Sequence, residues 1–219
     1  MRRQLYLLLF FIIGLSLSVM SQKIQSDFLF EEYQEATISY IGGYSSNEKI
    51  NYNVKDKDLY FIDDNDGYEK IVLNTERIRV IKIDNRAFVI VNKNIQEVLP
   101  TNPSIYVEYL AKVKLKAHDA GYGTKSETSA ISAYTMGSQG QLIPEGNKVE
   151  TTGLKYFYWI EKNGNKEKFT SFKQFLKLYS KHKKVLDKHI KTNKINFNDI
   201  EGVVNLCLYA ESLNLSSRE

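Results

Sequence analysis

The chain has very little cysteine: Cys207 is the single one in 219 residues. One cysteine cannot close a disulfide within the chain. It also lies far from the N-terminus, whereas the lipid-bearing cysteine of a lipoprotein directly follows an apolar leader. We expect Cys207, which sits in the apolar stretch 203–208, to be a small buried hydrophobic residue. An intermolecular disulfide or a reactive thiol is the alternative.

The chain also lacks a hydrophobic run long enough for a transmembrane helix, which needs about 20 apolar residues. The apolar stretch 5–17 is only about 13 residues long, follows Arg2 and Arg3, and gives way to polar residues after Ser21. This three-part pattern is typical of a secretory signal peptide. We predict a signal peptide over 1–21, cleaved near Ser21/Gln22, and a periplasmic or extracellular protein that is not a lipoprotein. An uncleaved anchor is the alternative.

No strong excess of one charge is present. The net charge is +4, and it falls to +2 once Arg2 and Arg3 leave with the signal peptide. Residues 22–160 hold 16 basic and 19 acidic side chains, while residues 161–219 hold 12 and 7. A nucleic-acid-binding protein needs a much larger basic field. We therefore exclude nucleic acid as a partner.

Short stretches rich in β-branched and aromatic residues dominate the first half of the chain. They are spaced 8–12 residues apart and separated by turn signals such as Asp66-Gly67 and Asp84-Asn85, which favour antiparallel hairpins. A longer strand is predicted over 104–117, with Val113 and Leu115 facing inward, and Asn163-Gly164 indicates another hairpin. The predicted strands are 36–41, 50–54, 59–62, 71–73, 78–83 and 87–91.

The rest of the chain divides into a loop and a helical end. Residues 118–153 are rich in Gly and Ser and show no periodicity, which predicts a long loop. After 171 the apolar residues recur at helical spacing, with Ser171 as the first cap and Asn198 as the second. We predict an α+β fold: an antiparallel β-meander sheet or open barrel over 22–170, then a helical hairpin over 171–213 packed on the sheet.

No catalytic or metal-binding motif withstands inspection. The aspartates at 63–66 do not form an EF-hand loop, because Ile62 and Leu73 would stand at ligand positions. The weak catalytic candidates are His118, Asp119 and Ser126, which would serve an extracytoplasmic hydrolase acting from the 118–132 loop. No nucleophile elbow accompanies them. We expect no metal and no cofactor, and a protein that is more an exported binding or structural module than an enzyme.

The segment 173–194 carries eight lysines with Asp187 as its one acidic residue. It predicts a basic amphipathic helix that contacts an envelope protein or an anionic surface. The alternative is a surface helix whose apolar stripe packs on the sheet and whose lysines are merely solvated. The candidate binding residues are Tyr122, Lys177, Lys181, Lys184 and Lys188.

Three stretches together resemble small exported proteins of Bacteroidetes-type bacteria that have no assigned activity. They are Ile50-Asn51-Tyr52-Asn53 followed by Leu59-Tyr60-Phe61, the hairpin from Val80 to Phe88, and the ending from Phe175 to Phe197. The resemblance implies a place in the cell envelope and no particular chemistry.

Overall fold

The computed structural model describes residues 27–101, 104–116, 118–119, 125–126, 134–136, 142–144, 149–162 and 164–216. The predicted signal peptide and Tyr122 lie outside the described residues.

Ten strands form one antiparallel sheet, as the short connections require. In chain order they are β1 (Gln34–Tyr40), β2 (Ser45–Asn53), β3 (Asp58–Ile62), β4 (Glu69–Ile71), β5 (Ile78–Ile83), β6 (Arg86–Val91), β7 (Asn94–Leu99), β8 (Ile105–Leu115), β13 (Val149–Lys162) and β14 (Asn165–Phe169). Their order across the sheet is β14-β13-β8-β7-β6-β5-β1-β2-β3-β4. The sheet is open and antiparallel, as predicted, but it is not a single meander: β1–β4 and β5–β8 are each meanders, and β5 pairs with β1 instead of β4.

Tight turns fix the register of the hairpins, as the sequence predicts. Ile83 pairs with Arg86 across Asp84-Asn85, and Asp84 takes a left-handed φ of 49°. The β6–β7 turn uses Asn92 and Lys93, both with positive φ, which matches the twist of the flanking strands. The hairpin over Asn163-Gly164 is also confirmed, since Lys162 pairs with Asn165.

The sheet curls so that strands far apart in the order meet. The backbone N–H of Ala111 on β8 donates to the carbonyl of Val54, just after β2, at 3.0 Å. The Tyr52 hydroxyl donates to the carbonyl of Tyr109 at 3.3 Å. The concave side therefore encloses a core of buried apolar residues, with Ile38, Ile50, Ile81, Phe88 and Ile95 among them.

The Gly/Ser-rich region contains short strands that the sequence does not predict. They are β9 (His118–Asp119), β10 (Lys125–Ser126), β11 (Tyr134–Met136) and β12 (Leu142–Pro144), and they pair as β9 with β10 and β11 with β12. β13 begins at Val149, inside the segment predicted as loop.

A C-terminal helical segment follows the sheet, as predicted, but the basic stretch 173–194 is not one helix. It comprises α1 (Phe172–Leu178), a 3-10 turn at Ser180–His182 and α2 (Lys183–Thr192), after which comes α3 (Ile200–Ser216). The break follows Tyr179, which is buried, has non-helical φ and ψ, and donates its hydroxyl to Glu211 of α3 at 2.5 Å. The buried, hydrogen-bonded position of Tyr179 thus coincides with the end of α1.

The helices cover the sheet face that carries Tyr158 and Phe169. The Phe169 and Phe175 rings lie 5.2 Å apart, and Phe197 meets Tyr158 edge-on at 5.2 Å. The Ser171 hydroxyl caps α1 by accepting from the Gln174 N–H at 3.3 Å, as predicted. α3 starts one residue later than predicted, so Asp199 and not Asn198 precedes it. Of the helices within the described ranges, none has both the length and the apolar character needed to cross a bilayer.

Candidate functional site

Directly opposed residues of an antiparallel pair lie on the same side of a sheet. Gln96 opposes Glu108, Glu108 opposes Phe157, and Trp159 opposes both Tyr106 and Lys168. These residues alternate with Tyr158 and Phe169, so they lie on the side opposite the helices. We call this surface the lysine–aromatic face. It comprises Gln96, Tyr106, Glu108, Lys155, Phe157, Trp159, Glu161, Lys166 and Lys168.

An ion pair between a buried glutamate and a partly exposed lysine stands at its centre. The Lys168 ammonium lies 3.1 Å from Oε2 of Glu108, which is only 2% exposed. The same ammonium sits 4.5 Å from the ring centre of Phe157 and 4.9 Å from that of Trp159. Cation–π attraction and the carboxylate therefore hold Lys168 in one place.

Two further lysines, Lys57 and Lys155, lie near this ion pair. Lys57, from the β2–β3 turn, has a pKa lowered chiefly by burial; the charge of Glu108 opposes this, while the positive charges of Lys168 and Lys155 add to it. Lys57 therefore lies within electrostatic reach of Glu108, Lys168 and Lys155, three ammonium groups and one buried carboxylate in all. With one negative charge among three positive ones, this part of the face favours an anion.

A second group of a lysine, a glutamate and an aromatic ring lies next to the first on the same face. The Tyr106 hydroxyl donates to Glu161 at 3.0 Å, and the Lys166 ammonium lies 3.3 Å from the Tyr106 ring centre. Burial, with help from the Glu161 hydrogen bond, raises the pKa of Tyr106, and burial lowers that of Lys166. With Lys57, the face carries four lysines and two glutamates, an excess of two positive charges.

Two polar side chains of this face have buried atoms without hydrogen-bond partners within the described part of the chain. Gln96 is 0% exposed and neither its amide nitrogen nor its amide oxygen is paired, and the indole N–H of Trp159 is unpaired as well. A buried polar group left unpaired costs about 1–3 kcal/mol. Such groups are rare in native proteins and require an explanation.

The other side of the same strands holds a hydrogen-bonded network. Arg86 makes two hydrogen bonds of 2.9 Å to the carboxylate of Glu97 and donates to the Tyr109 hydroxyl at 3.2 Å. The Tyr109 hydroxyl donates in turn to Glu97. The guanidinium packs over the rings of Phe30, Phe88 and Tyr109. Because Arg86, Glu97 and Tyr109 bond to one another, we assign this network to stability.

A cleft of about 450 Å³ lies between the β4–β5 connection and the β6–β7 turn. Its charged lining residues are Glu76 and Lys93, a balanced pair that gives an ionic ligand no net attraction. The lining residues are Val72, Leu73, Asn74, Thr75, Glu76, Ile90, Asn92 and Lys93.

The residues predicted as catalytic are only partly brought together. In the backbone register of β9 and β10, His118 pairs with Ser126, whereas Asp119 pairs with Lys125. No group of three His, Cys, Asp or Glu side chains that could hold a metal occurs among the residues for which positions are given. Asp63 and Asp66 instead both bind the ammonium of Lys70 across the β3–β4 hairpin.

The predicted binding lysines are all on the surface. Lys177 lies on α1, Lys181 in the 3-10 turn, and Lys184 and Lys188 one turn apart on α2. The apolar stripe beneath them is buried against the core at Phe175, Leu176, Leu186 and Ile190. That stripe is therefore not free to enter a membrane.

None of the predicted site residues whose side chains the structure describes, Lys177, Lys181, Lys184 and Lys188, lies on the lysine–aromatic face. One signal in the sequence could have revealed it. Lys155, Phe157 and Trp159 alternate before the Asn163-Gly164 turn, and Lys166 and Lys168 alternate after it, so a hairpin necessarily places all five on one side. The contribution of β7, β8 and the β2–β3 turn depends on the tertiary fold.

Comparisons with protein-family models, with curated proteins and with solved structures each find no match to this chain. The candidate site therefore rests on its own geometry.

Proposed function

We propose that the chain is an exported, non-enzymatic binding module of the cell envelope that engages an acidic partner through the lysine–aromatic face. Export follows from the predicted signal peptide, with release into the periplasm or beyond. The observation behind the proposal is the contact of Lys168 with Glu108 and with the rings of Phe157 and Trp159, together with Lys155 over the Phe157 ring and the charge of Lys57 close by.

The arrangement suits binding better than surface solubility alone. Lysines that only keep a sheet edge soluble point into water, whereas Lys168 is pinned between a carboxylate and two rings and is 35% exposed. Pinning in the free protein lowers the entropy that a ligand must remove on binding. A preformed cationic site of this kind favours an anionic group over a neutral one.

The test removes two positive charges without disturbing the buried pair. Lys57→Gln with Lys155→Gln leaves the Glu108–Lys168 contact intact. The matched control, Lys49→Gln with Lys82→Gln, removes two exposed lysines from the same side of the sheet at its other end. Binding of the purified protein to dextran sulfate is measured by biolayer interferometry at low and physiological salt.

We expect the first variant to bind about five- to tenfold more weakly, since exposed charge pairs contribute about 0.2–1 kcal/mol each. The control should stay within about twofold of the parent at each salt concentration. Equal losses in both variants would mean that only net charge matters, and would remove this face as the site.

A second surface for an acidic partner is the exposed lysine side of α1 and α2. In this proposal α2 and α3 pack as a helical hairpin, which the stacking of the His189 ring on that of Tyr209 at 4.3 Å supports. Because the apolar stripe is buried, contact with anionic lipid would be electrostatic only. Lys181→Gln with Lys184→Gln separates the two surfaces: retained dextran sulfate binding points to the sheet, and lost binding points to the helices.

A further inference from the structure

Gln96 is the least expected residue of the lysine–aromatic face. It lies on β7 in the middle of the sheet and is wholly buried, and both polar atoms of its amide are unpaired within the described ranges. A Leu of similar volume would fill the same place without leaving two polar atoms unsatisfied. A stability role therefore does not account for the amide.

A ligand that both donates and accepts hydrogen bonds would satisfy this amide. The indole N–H of Trp159 supplies one more donor. Trp159 lies on β13, two strands away from β7. The rings of Phe157 and Trp159 lie on the same side, each with the Lys168 ammonium over one face, and place apolar surface beside these polar groups.

We infer that the lysine–aromatic face binds an acidic saccharide, whose carboxylates meet the lysines and whose hydroxyl groups pair with Gln96 and Trp159. This inference rests on the proposed function and names its ligand class. A sugar hydroxyl donates and accepts at once, which matches a free amide, and a sugar ring has apolar C–H faces for the aromatic side chains. A lipid phosphodiester can accept from the lysines, the indole N–H and the amide N–H, but it has no donor for the Gln96 amide oxygen.

Position in the sheet also favours a saccharide over an acidic peptide. Extended peptides are bound mostly by adding a strand at a sheet edge. Gln96 lies on the fourth strand from the β14 edge, about 14 Å in at a spacing of about 4.8 Å per strand. A ligand that touches both Gln96 and Lys168 must lie across the strands. Because Gln96 is wholly buried, the inference requires that a side chain covering it moves when the ligand binds.

The decisive variant is Gln96→Leu in the purified full chain. The probes are oligogalacturonate, neutral dextran, poly-L-glutamate of matched charge and phosphatidylglycerol vesicles. We expect oligogalacturonate to bind at least tenfold more tightly than the other three probes. Gln96→Leu should weaken that binding about three- to tenfold, the range of one or two hydrogen bonds between neutral groups, and should leave poly-L-glutamate binding unchanged.

The same substitution should raise the melting temperature, because it removes two unpaired buried polar atoms. A gain in stability together with a loss of affinity is a combination that a merely structural glutamine cannot produce. Gln34→Leu, which removes the same amide from β1 far from the face, should change neither affinity nor melting temperature appreciably.

Trp159→Phe provides an independent test, because it keeps an aromatic ring and removes the indole N–H. It too should weaken oligogalacturonate binding about three- to tenfold. Equal binding of oligogalacturonate and poly-L-glutamate overturns the saccharide inference and leaves the proposed function standing. A lower melting temperature of Gln96→Leu also overturns the inference, because Gln96 is then structural. If none of the acidic probes binds, the proposed function fails as well.

Discussion

The Arg86–Glu97–Tyr109 network gives the sharpest stability prediction. In Glu97→Gln one carboxylate oxygen becomes an NH2 donor, although both oxygens accept from Arg86 and Oε2 accepts also from the Tyr109 hydroxyl. At least one donor then faces another donor. The guanidinium, packed over three rings, also loses its counter-charge.

Removing one partner of a buried ion pair costs about 3–5 kcal/mol. Water can partly solvate the guanidinium of Arg86, because its side chain is 35% exposed. We therefore expect Glu97→Gln to lower the free energy of unfolding by about 2–3 kcal/mol. For a domain of this size, that corresponds to a fall in melting temperature of about 4–12 °C.

Urea unfolding followed by tryptophan fluorescence and calorimetry measures both quantities. Glu35→Gln is the control, because its pairing with Lys49 at 3.7 Å is exposed and contributes less than about 1 kcal/mol. Tyr109→Phe alone should cost about 1 kcal/mol. Combined with Glu97→Gln it should cost less than the sum, because it removes one of the clashing donors. Additivity within about 0.5 kcal/mol would refute the network.

Three further predictions concern single groups. Cys207 is fully buried and burial raises its pKa, so a thiol reagent should label it only after unfolding; labelling of the folded protein would contradict the packing. Burial raises the pKa of seven tyrosines, so the unfolded chain ionises first, near pH 10, and stability should fall as pH rises from there; a urea midpoint unchanged between pH 9 and 11 would count against it. Hydrogen bonds from Lys70 and Asn65 lower the pKa of Asp63 to about 2, so its contribution is present above pH 4 and lost as pH falls towards 2. NMR titration should find that midpoint and see it rise in Lys70→Met; an unmoved midpoint would exclude Lys70 as the cause. The seven tyrosines are Tyr33, Tyr52, Tyr60, Tyr106, Tyr109, Tyr158 and Tyr179.

Most of the sheet could be predicted from the sequence, because its strands alternate and its turns carry Asp, Asn and Gly. β5 matches its predicted bounds of 78–83, and β8 has Val113 and Leu115 turned inward as expected. β7 is the exception. Its central residues, Gln96 and Glu97, are polar neighbours of the kind found in loops, yet both are buried. Their burial depends on partners brought by other strands, which no local pattern reveals.

The helical end shows the same limit. The spacing of Phe175, Tyr179 and Leu186 correctly predicts a buried stripe, and Ser171 correctly predicts a start. The break after Tyr179 could not be predicted, because it depends on Glu211, 32 residues further along. Likewise, the lysine–aromatic face requires residues from the β2–β3 turn and from β14 that meet only in the folded protein.

The stability network and the proposed binding face are set by one strand register. Glu97 and Gln96 are adjacent on β7, and Tyr109 and Glu108 are adjacent on β8, so in each pair one side chain faces the core and the other faces outward. A slip of one residue would exchange the faces and place Gln96 against Arg86. The slip is unfavourable because it would break the bidentate Arg86–Glu97 contact and leave the guanidinium without its counter-charge. The core network therefore positions Gln96 beside Glu108 on the outer face, although it touches no ligand there. It follows that Glu97→Gln should weaken oligogalacturonate binding only through the unfolded fraction, and that affinity per folded molecule should stay unchanged while the register holds.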